Sequence, residues 1–155
     1  MNLVRHCACN KVHYSIANSP LFTQACHCKD YQRTTGSAFV INLVVVEEDF
    51  SIRGDTRSII LPTGSGAGNE LHCCERCGTY IWCRYQYHKA RVIAVRGGTL
   101  EDPDRAPPQA HIFVASKQRW LTLPNDMPSF AGAFDRREVW PDESIKRYEK
   151  LITGP

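Results

Sequence analysis

Cysteines at positions 7 and 9, and again at 74 and 77, supply four thiolates at spacings that suit one tetrahedral zinc ion. In extended backbone, residues i and i+2 project to the same side, so Cys7 and Cys9 grip a common ion. Cys74-Glu75-Arg76-Cys77 followed by Gly78 does the same from a tight turn, with the glycine taking a backbone angle costly for other residues. Coordination by four cysteines closes every position around the metal. Such a site is structural, because catalytic zinc needs a position left for water or substrate. A further cluster, Cys26-His27-Cys28, lies outside this scheme, and its two neighbouring thiols offer a place for chemistry.

The elements that must hold these residues read as short strands. Alternation at Val12, Tyr14 and Ile16 marks a strand directly after the first cysteine pair. Further strands are predicted at 38–46, 50–53, 58–61, 70–73, 79–85, 91–96 and 110–114, separated by Gly- and Pro-rich turns. Helical pieces are predicted at 29–35 and 142–151, the second opening on Pro141-Asp142-Glu143. Many short strands with few helices predict an all-β fold, mainly β with short helices. At 155 residues the chain has the length of one domain, spanning 1–155. Both halves of the zinc site adjoin strands, so the metal is expected to staple the N-terminal strand to a hairpin more than sixty residues away.

Composition narrows the partners. The sequence has eight cysteines, but its first residues carry no apolar stretch resembling a secretory signal. Reduced thiols and a cytoplasmic location are therefore expected, with the close cysteine pairs read as metal ligands rather than disulfides. The longest apolar stretch, 38–46, is broken by Asn42 and is too short to span a bilayer. The formal charge is +3; four thiolates on one Zn²⁺ bring it to about +1. That balance argues against a nucleic-acid partner. Residues 84–91 interleave cations with aromatics and could stack single-stranded bases, although an ordinary exposed hairpin explains them better.

Taken in order, Cys-x-Cys, Cys26-His27-Cys28 leading into Gln32-Arg33-Thr34-Thr35-Gly36-Ser37-Ala38-Phe39, Cys74-Glu75-Arg76-Cys77-Gly78-Thr79, Gly98-Thr99-Leu100-Glu101-Asp102-Pro103 and His111-Ile112-Phe113 resemble the glutathione-dependent formaldehyde-activating enzyme family, which includes the domain of centromere protein V. The resemblance implies tent-like stacked antiparallel sheets organised by a structural zinc at Cys7, Cys9, Cys74 and Cys77. It also implies a second, catalytic zinc with Cys26 and Cys28 as two of three ligands. The family pattern there is Cys-x-Cys-x-x-Cys, and Tyr31 stands at the third position. A phenol ionises less readily than a thiol and its hard oxygen suits zinc less well. Arg5 and Asn10 also stand where the family usually has glycines; asparagine tolerates the left-handed backbone.

The implied activity is a carbon–sulfur lyase reaction, the reversible addition of glutathione or a related thiol to formaldehyde. Cys26, Cys28 and Tyr31 are the candidate catalytic residues. Lys29 and Arg33 are the cations nearest in sequence for the carboxylates of glutathione, against a plain reading as solvated surface charges. The second site would be completed by a substrate thiolate, His27, Asp30 or water. In extended backbone His27 points away from its flanking cysteines, and Asp30 serves equally as a proton shuttle or a surface acid. Cys73 and Cys83 read as core thiols and His111 as a structural histidine. His6, His13, His72 and His88 have no assigned role. The alternative is a non-catalytic zinc-scaffolded binding module, since the first site is complete and the second is not. Exposed strand edges would permit a homodimer.

Overall fold

The computed structural model describes residues 3–64, 66–85 and 91–153. Its strands form two sheets. The smaller contains β1 (Leu3–His6), β2 (His13–Ile16) and β5 (Phe50–Arg53), in the order β1-β2-β5. The larger has seven strands in the order β10-β3-β4-β9-β8-β7-β6: β3 (Phe22–Cys26), β4 (Val40–Val46), β6 (Thr56–Leu61), β7 (Asn69–Cys74), β8 (Tyr80–Tyr85), β9 (Val92–Arg96) and β10 (Ala110–Ile112). Pairing is antiparallel except at one edge, where β10 runs parallel to β3. The sheets are thus antiparallel as expected, with this one parallel pair at an edge. β10 arrives from a long connection rather than a hairpin, and such connections are what allow parallel neighbours.

Helices are few. α1 (Lys29–Thr35) follows β3, while α2 (Arg136–Val139) and α3 (Asp142–Thr153) close the described chain. α1 begins where the Cys28 sulfur accepts the Tyr31 N–H and ends at Gly36, whose φ of 67° reverses the backbone. Among the described residues, no helix is long and apolar enough to cross a membrane.

The two faces of the large sheet are built differently. Leu43 and Val45 on β4 pair with Val95 and Ile93 on β9, and with Trp82 they pack against Tyr14, Ile16, Phe50 and Ile52 of the small sheet. Leu43 and Val95 are fully buried, each contributing on the order of 1.5–3 kcal/mol. On the opposite face, Val46 and Val92 lie with Leu21 under Tyr148, Trp140 and Leu151 of the C-terminal segment. Farther along that face the apolar pattern gives way to Cys26, Asn42 and Arg96, which the strand register brings to one side of β3, β4 and β9. Coverage on both faces leaves all five residues of β9 buried.

Candidate metal centre and thiol pair

β1 delivers Cys7 into a turn in which the Cys7 N–H donates to the Val12 carbonyl and the Asn10 N–H to the Cys7 carbonyl. Asn10 adopts φ 60°, the left-handed backbone expected of an asparagine in a glycine's place. The opposing loop joins β7 to β8, with the Gly78 N–H donating to the Cys74 carbonyl and Gly78 at φ 71°. These loops bring the sulfurs of Cys7, Cys9, Cys74 and Cys77 within 4.8 Å of one another. Cys7 and Cys9 sulfurs are 3.5 Å apart, and Cys9 and Cys74 sulfurs 3.8 Å. Zinc–sulfur bonds of about 2.3 Å arranged as a tetrahedron need edges of about 3.8 Å, so the donor set fits a metal such as zinc.

Thr79 ties the loops together. Its Oγ1 accepts the Ala8 N–H at 3.1 Å and lies 3.1 Å from the Cys77 sulfur, to which its hydroxyl donates. That contact is the main cause holding the Cys77 thiol down at about 5. The Val12 N–H similarly reaches the Cys7 sulfur at 3.2 Å. Desolvation and the neighbouring sulfurs of Cys7, Cys77 and Cys74 push the Cys9 thiol up to about 12, so ionising all four sulfurs together calls for a cation. Thr79→Val keeps the side-chain shape and removes the hydroxyl. Metal affinity, measured by chelator competition, should fall by roughly 10–100-fold while the fold persists.

The other cluster is differently built. Cys26 ends β3 and is buried, Cys28 precedes α1 and is partly exposed, and their side chains share a hydrogen bond. That bond is the largest influence on both thiols. It pushes Cys26 up, with burial adding to the rise, and draws Cys28 down to about 7 against a smaller opposing effect of burial. Tyr31, only 3% exposed, carries its hydroxyl into another network. It hydrogen-bonds the Tyr85 hydroxyl, lies 3.5 Å from the Cys83 sulfur and accepts from Arg96 Nη2 at 3.2 Å. Burial pushes the Tyr31 phenol well above its ordinary range, so it stays protonated.

Arg96 organises this network. Its guanidinium sits 4.5 Å from the Tyr31 ring centroid and 4.3 Å from that of Tyr80. It also donates to Asn42 Oδ1, to the Tyr80 hydroxyl at 2.8 Å and to the Cys83 sulfur at 2.8 Å. The other sequence candidates are held apart from the thiol pair. His27 Nε2 meets His111 Nδ1 at 3.0 Å, and Asp30 Oδ2 accepts the Gly64 N–H at 3.1 Å. Among the described residues, three or more Cys, His, Asp or Glu ligand atoms converge at Cys7, Cys9, Cys74 and Cys77, and the thiol pair forms no such group. A resident zinc with three protein donors therefore does not fit Cys26, Cys28 and Tyr31.

Lys29 and Arg33 are exposed on α1 one turn apart, with Lys29 Nζ donating to Gln32 Oε1 at 3.3 Å. Residues 86–90 of the aromatic, basic stretch lie outside the described residues. At its ends, Arg84 pairs with Glu47 and Arg91 with Glu48, so these cations already face acidic neighbours. Sequence reasoning overlooked Asn42, Tyr80, Tyr85 and Arg96 as companions of the thiol pair. The available signals were an amide inside the apolar run of β4 and a cation closing that of β9.

The His27–His111 pair gives a pH prediction. Burial first, then His111 and Lys117, hold His27 down at about 4 against 6.5 when unperturbed. The fold thus favours neutral His27; its contribution is complete above 6.5 and is lost progressively as pH falls toward 4. Thermal melts should show this decline, and His27→Gln should flatten it over the range where metal content stays constant.

Two sheets brought together at one end by four cysteines able to hold a metal such as zinc, with a dithiol on the outer face of the larger sheet, define a β protein with a candidate metal centre. The chain belongs to the glutathione-dependent formaldehyde-activating enzyme family, whose profile matches residues 2–116. A crystal structure of a Rhodobacter sphaeroides protein is similar in fold, with a TM-score of 0.50 and 17% identity, covering 66% of this chain and 94% of that one. No curated protein matches the sequence.

Proposed function

We propose that this protein binds small thiols, glutathione foremost, and catalyses their reversible addition to formaldehyde at the Cys26–Cys28 face, on a fold closed by zinc at the four-cysteine site. The observation that carries this reading is a partly exposed thiol, Cys28, held near 7 beside a buried partner in a chain of this family. In the reaction the substrate sulfur bonds to the carbonyl carbon, the C=O π pair moves to oxygen, and the thiol proton ends on that oxygen. A group poised near neutrality can take the proton from sulfur and return it to oxygen. Cys28 is that group, and Lys29 and Arg33 present cations to the carboxylates of glutathione.

The test is exchange NMR with labelled formaldehyde and glutathione. The protein should accelerate exchange between free and adduct carbon, and Cys28→Ser should lower that acceleration by about 10²-fold, the lower range of general acid–base effects. Serine retains the helix-capping acceptor, so lost exchange would not reflect lost structure. Unaccelerated exchange in the wild-type protein would sink the lyase reading.

The Tyr31 network favours a second reading, a zinc-scaffolded module that binds thiols without turning them over. Glutathione would then perturb protein resonances while adduct exchange stayed at its uncatalysed rate. Tyr31→Cys bears on the same question. It should add a second zinc per chain by supplying the third sulfur, and should lower the melting temperature by emptying the space beside Arg96. Unchanged metal content would show that Tyr31 is not what limits metal binding there.

A further inference from the structure

We infer that this protein associates with a second copy of itself through β6, the open edge of the large sheet, in an antiparallel, twofold-symmetric pairing. The chain treats its sheet edges unequally. Alongside β10 it lays residues 128–132: the His111 N–H donates to the Pro128 carbonyl, the Phe130 N–H to the His111 carbonyl and the Phe113 N–H to the Gly132 carbonyl. In the small sheet, β1 is bridged from Arg5 to Leu100, and β5 is only four residues long. β6 has six residues and pairs with β7 on one side; among the described residues, no backbone hydrogen bond reaches it from the other.

Open edges of this length are ordinarily blunted by lysine, proline, a bulge or an inward charge. Thr56-Arg57-Ser58-Ile59-Ile60-Leu61 contains no lysine or proline, its register with β7 is unbroken, and its single charge, Arg57, is exposed near one end. At its centre stand Ile59, 42% exposed, and Ile60, 66% exposed. Successive side chains project to opposite faces, so apolar surface lies above and below the same unpaired backbone.

A second copy is the occupant this edge fits. Pairing about a twofold axis keeps every residue on its own face of the sheet, so a position can oppose only one an even number of residues away. One such register pairs Arg57–Leu61, setting Ile59 against its own copy and Ile60 against Ser58. The other pairs Thr56–Ile60, setting Ile59 against Arg57 and Ile60 against Thr56. Apolar contact at the axis favours the first. In it the two Arg57 side chains stand about 13 Å apart along the strand, beyond the screening length of about 8 Å at physiological salt. Because β10 is already covered, pairing through β6 uses up the open edge of the large sheet, and assembly closes at two copies. Ile59 shares a face with Leu71 and Cys83, so the dimer turns both thiol-pair faces to the same side. One strand edge is a small interface, and the dimer is expected to dissociate on dilution.

The experiment is sedimentation of the zinc-loaded protein from millimolar to micromolar concentration, joined to hydrogen exchange read by mass spectrometry. Wild type should show a monomer–dimer equilibrium, with the amides of 56–61 gaining protection as concentration rises. Ile59→Lys sets two cations against each other at the axis and should weaken the dimer at least about tenfold. Ile60→Lys, at a side chain mostly in water in the monomer, repeats the test without touching the core. Ile152→Lys, at an exposed isoleucine of α3, should leave the equilibrium unchanged. Circular dichroism at the dilute end checks that each variant is folded. A wild-type chain that stays monomeric at every concentration would overturn the inference and leave the edge to a foreign strand. A dimer whose β6 amides stay unprotected, a dimer indifferent to both β6 lysines, or growth beyond two copies would overturn it as well. These readouts involve no thiol chemistry, so the inference is decided separately from the lyase reading.

Discussion

Cys74→Ser should yield protein that is insoluble or unfolded and holds no zinc. Cys74 is fully buried at the end of β7, its sulfur is 3.8 Å from that of Cys9, and the metal group joins segments 65 residues apart. Apparent zinc binding of about 10–16 kcal/mol in finger peptides matches or exceeds the roughly 5–15 kcal/mol of net stability in a typical domain. Losing one ligand forfeits much of that energy and leaves a hydroxyl among apolar neighbours. Cys9→Ser should behave alike. The check is far-UV circular dichroism with metal analysis on the soluble fraction. A zinc-free variant with a native spectrum and an unchanged melting temperature would show that packing alone closes the two sheets.

Gly54→Ala carries the second large expected effect. Gly54 joins β5 to β6 at φ +103°, and an added Cβ would lie 2.3 Å from the Lys11 carbonyl oxygen and 3.0 Å from the Val12 Cα. Both contacts are backbone, so no side chain can swing aside. The left-handed conformation costs on the order of 1–2 kcal/mol, and overpacking typically adds 1–3 kcal/mol. A total near 3 kcal/mol lowers the melting temperature by about 6–12 °C in a chain of this size. The displaced segment contains Val12, whose N–H supports the Cys7 sulfur, so metal affinity should fall as well. A melt within about 2 °C of wild type would mean that the loop yields without cost.

What could be read from the residues alone depended on whether the signal was local. α1 spans the predicted range because Cys28 caps one end and Gly36 the other, both visible within the segment. The metal group was legible because its spacing states the coordination geometry. β3 escaped notice because both faces are covered and its burial follows no alternation. β1 reads Leu3-Val4-Arg5-His6, two apolar residues followed by two polar ones, with no alternation to mark a strand. The parallel placement of β10 and the gathering of Arg96, Tyr80 and Tyr85 around Tyr31 arise from strand order, which no local pattern encodes. Tyr31 itself was recognisable as a departure. Its new partners were not, since they come from β8 and β9, about fifty residues or more downstream.

The metal group and the thiol pair belong to separate packing clusters. Cys7 and Cys74 pack in the core between the two sheets, and Cys26 packs with Tyr31, Val40 and Ile112 on the other side of the large one. The four-cysteine group and the proposed chemistry thus rest on different sides of one wall. Substitutions around Cys26 and Cys28 can accumulate without loosening the other cluster, and a tyrosine in a cysteine's place is the kind of innovation such a division tolerates.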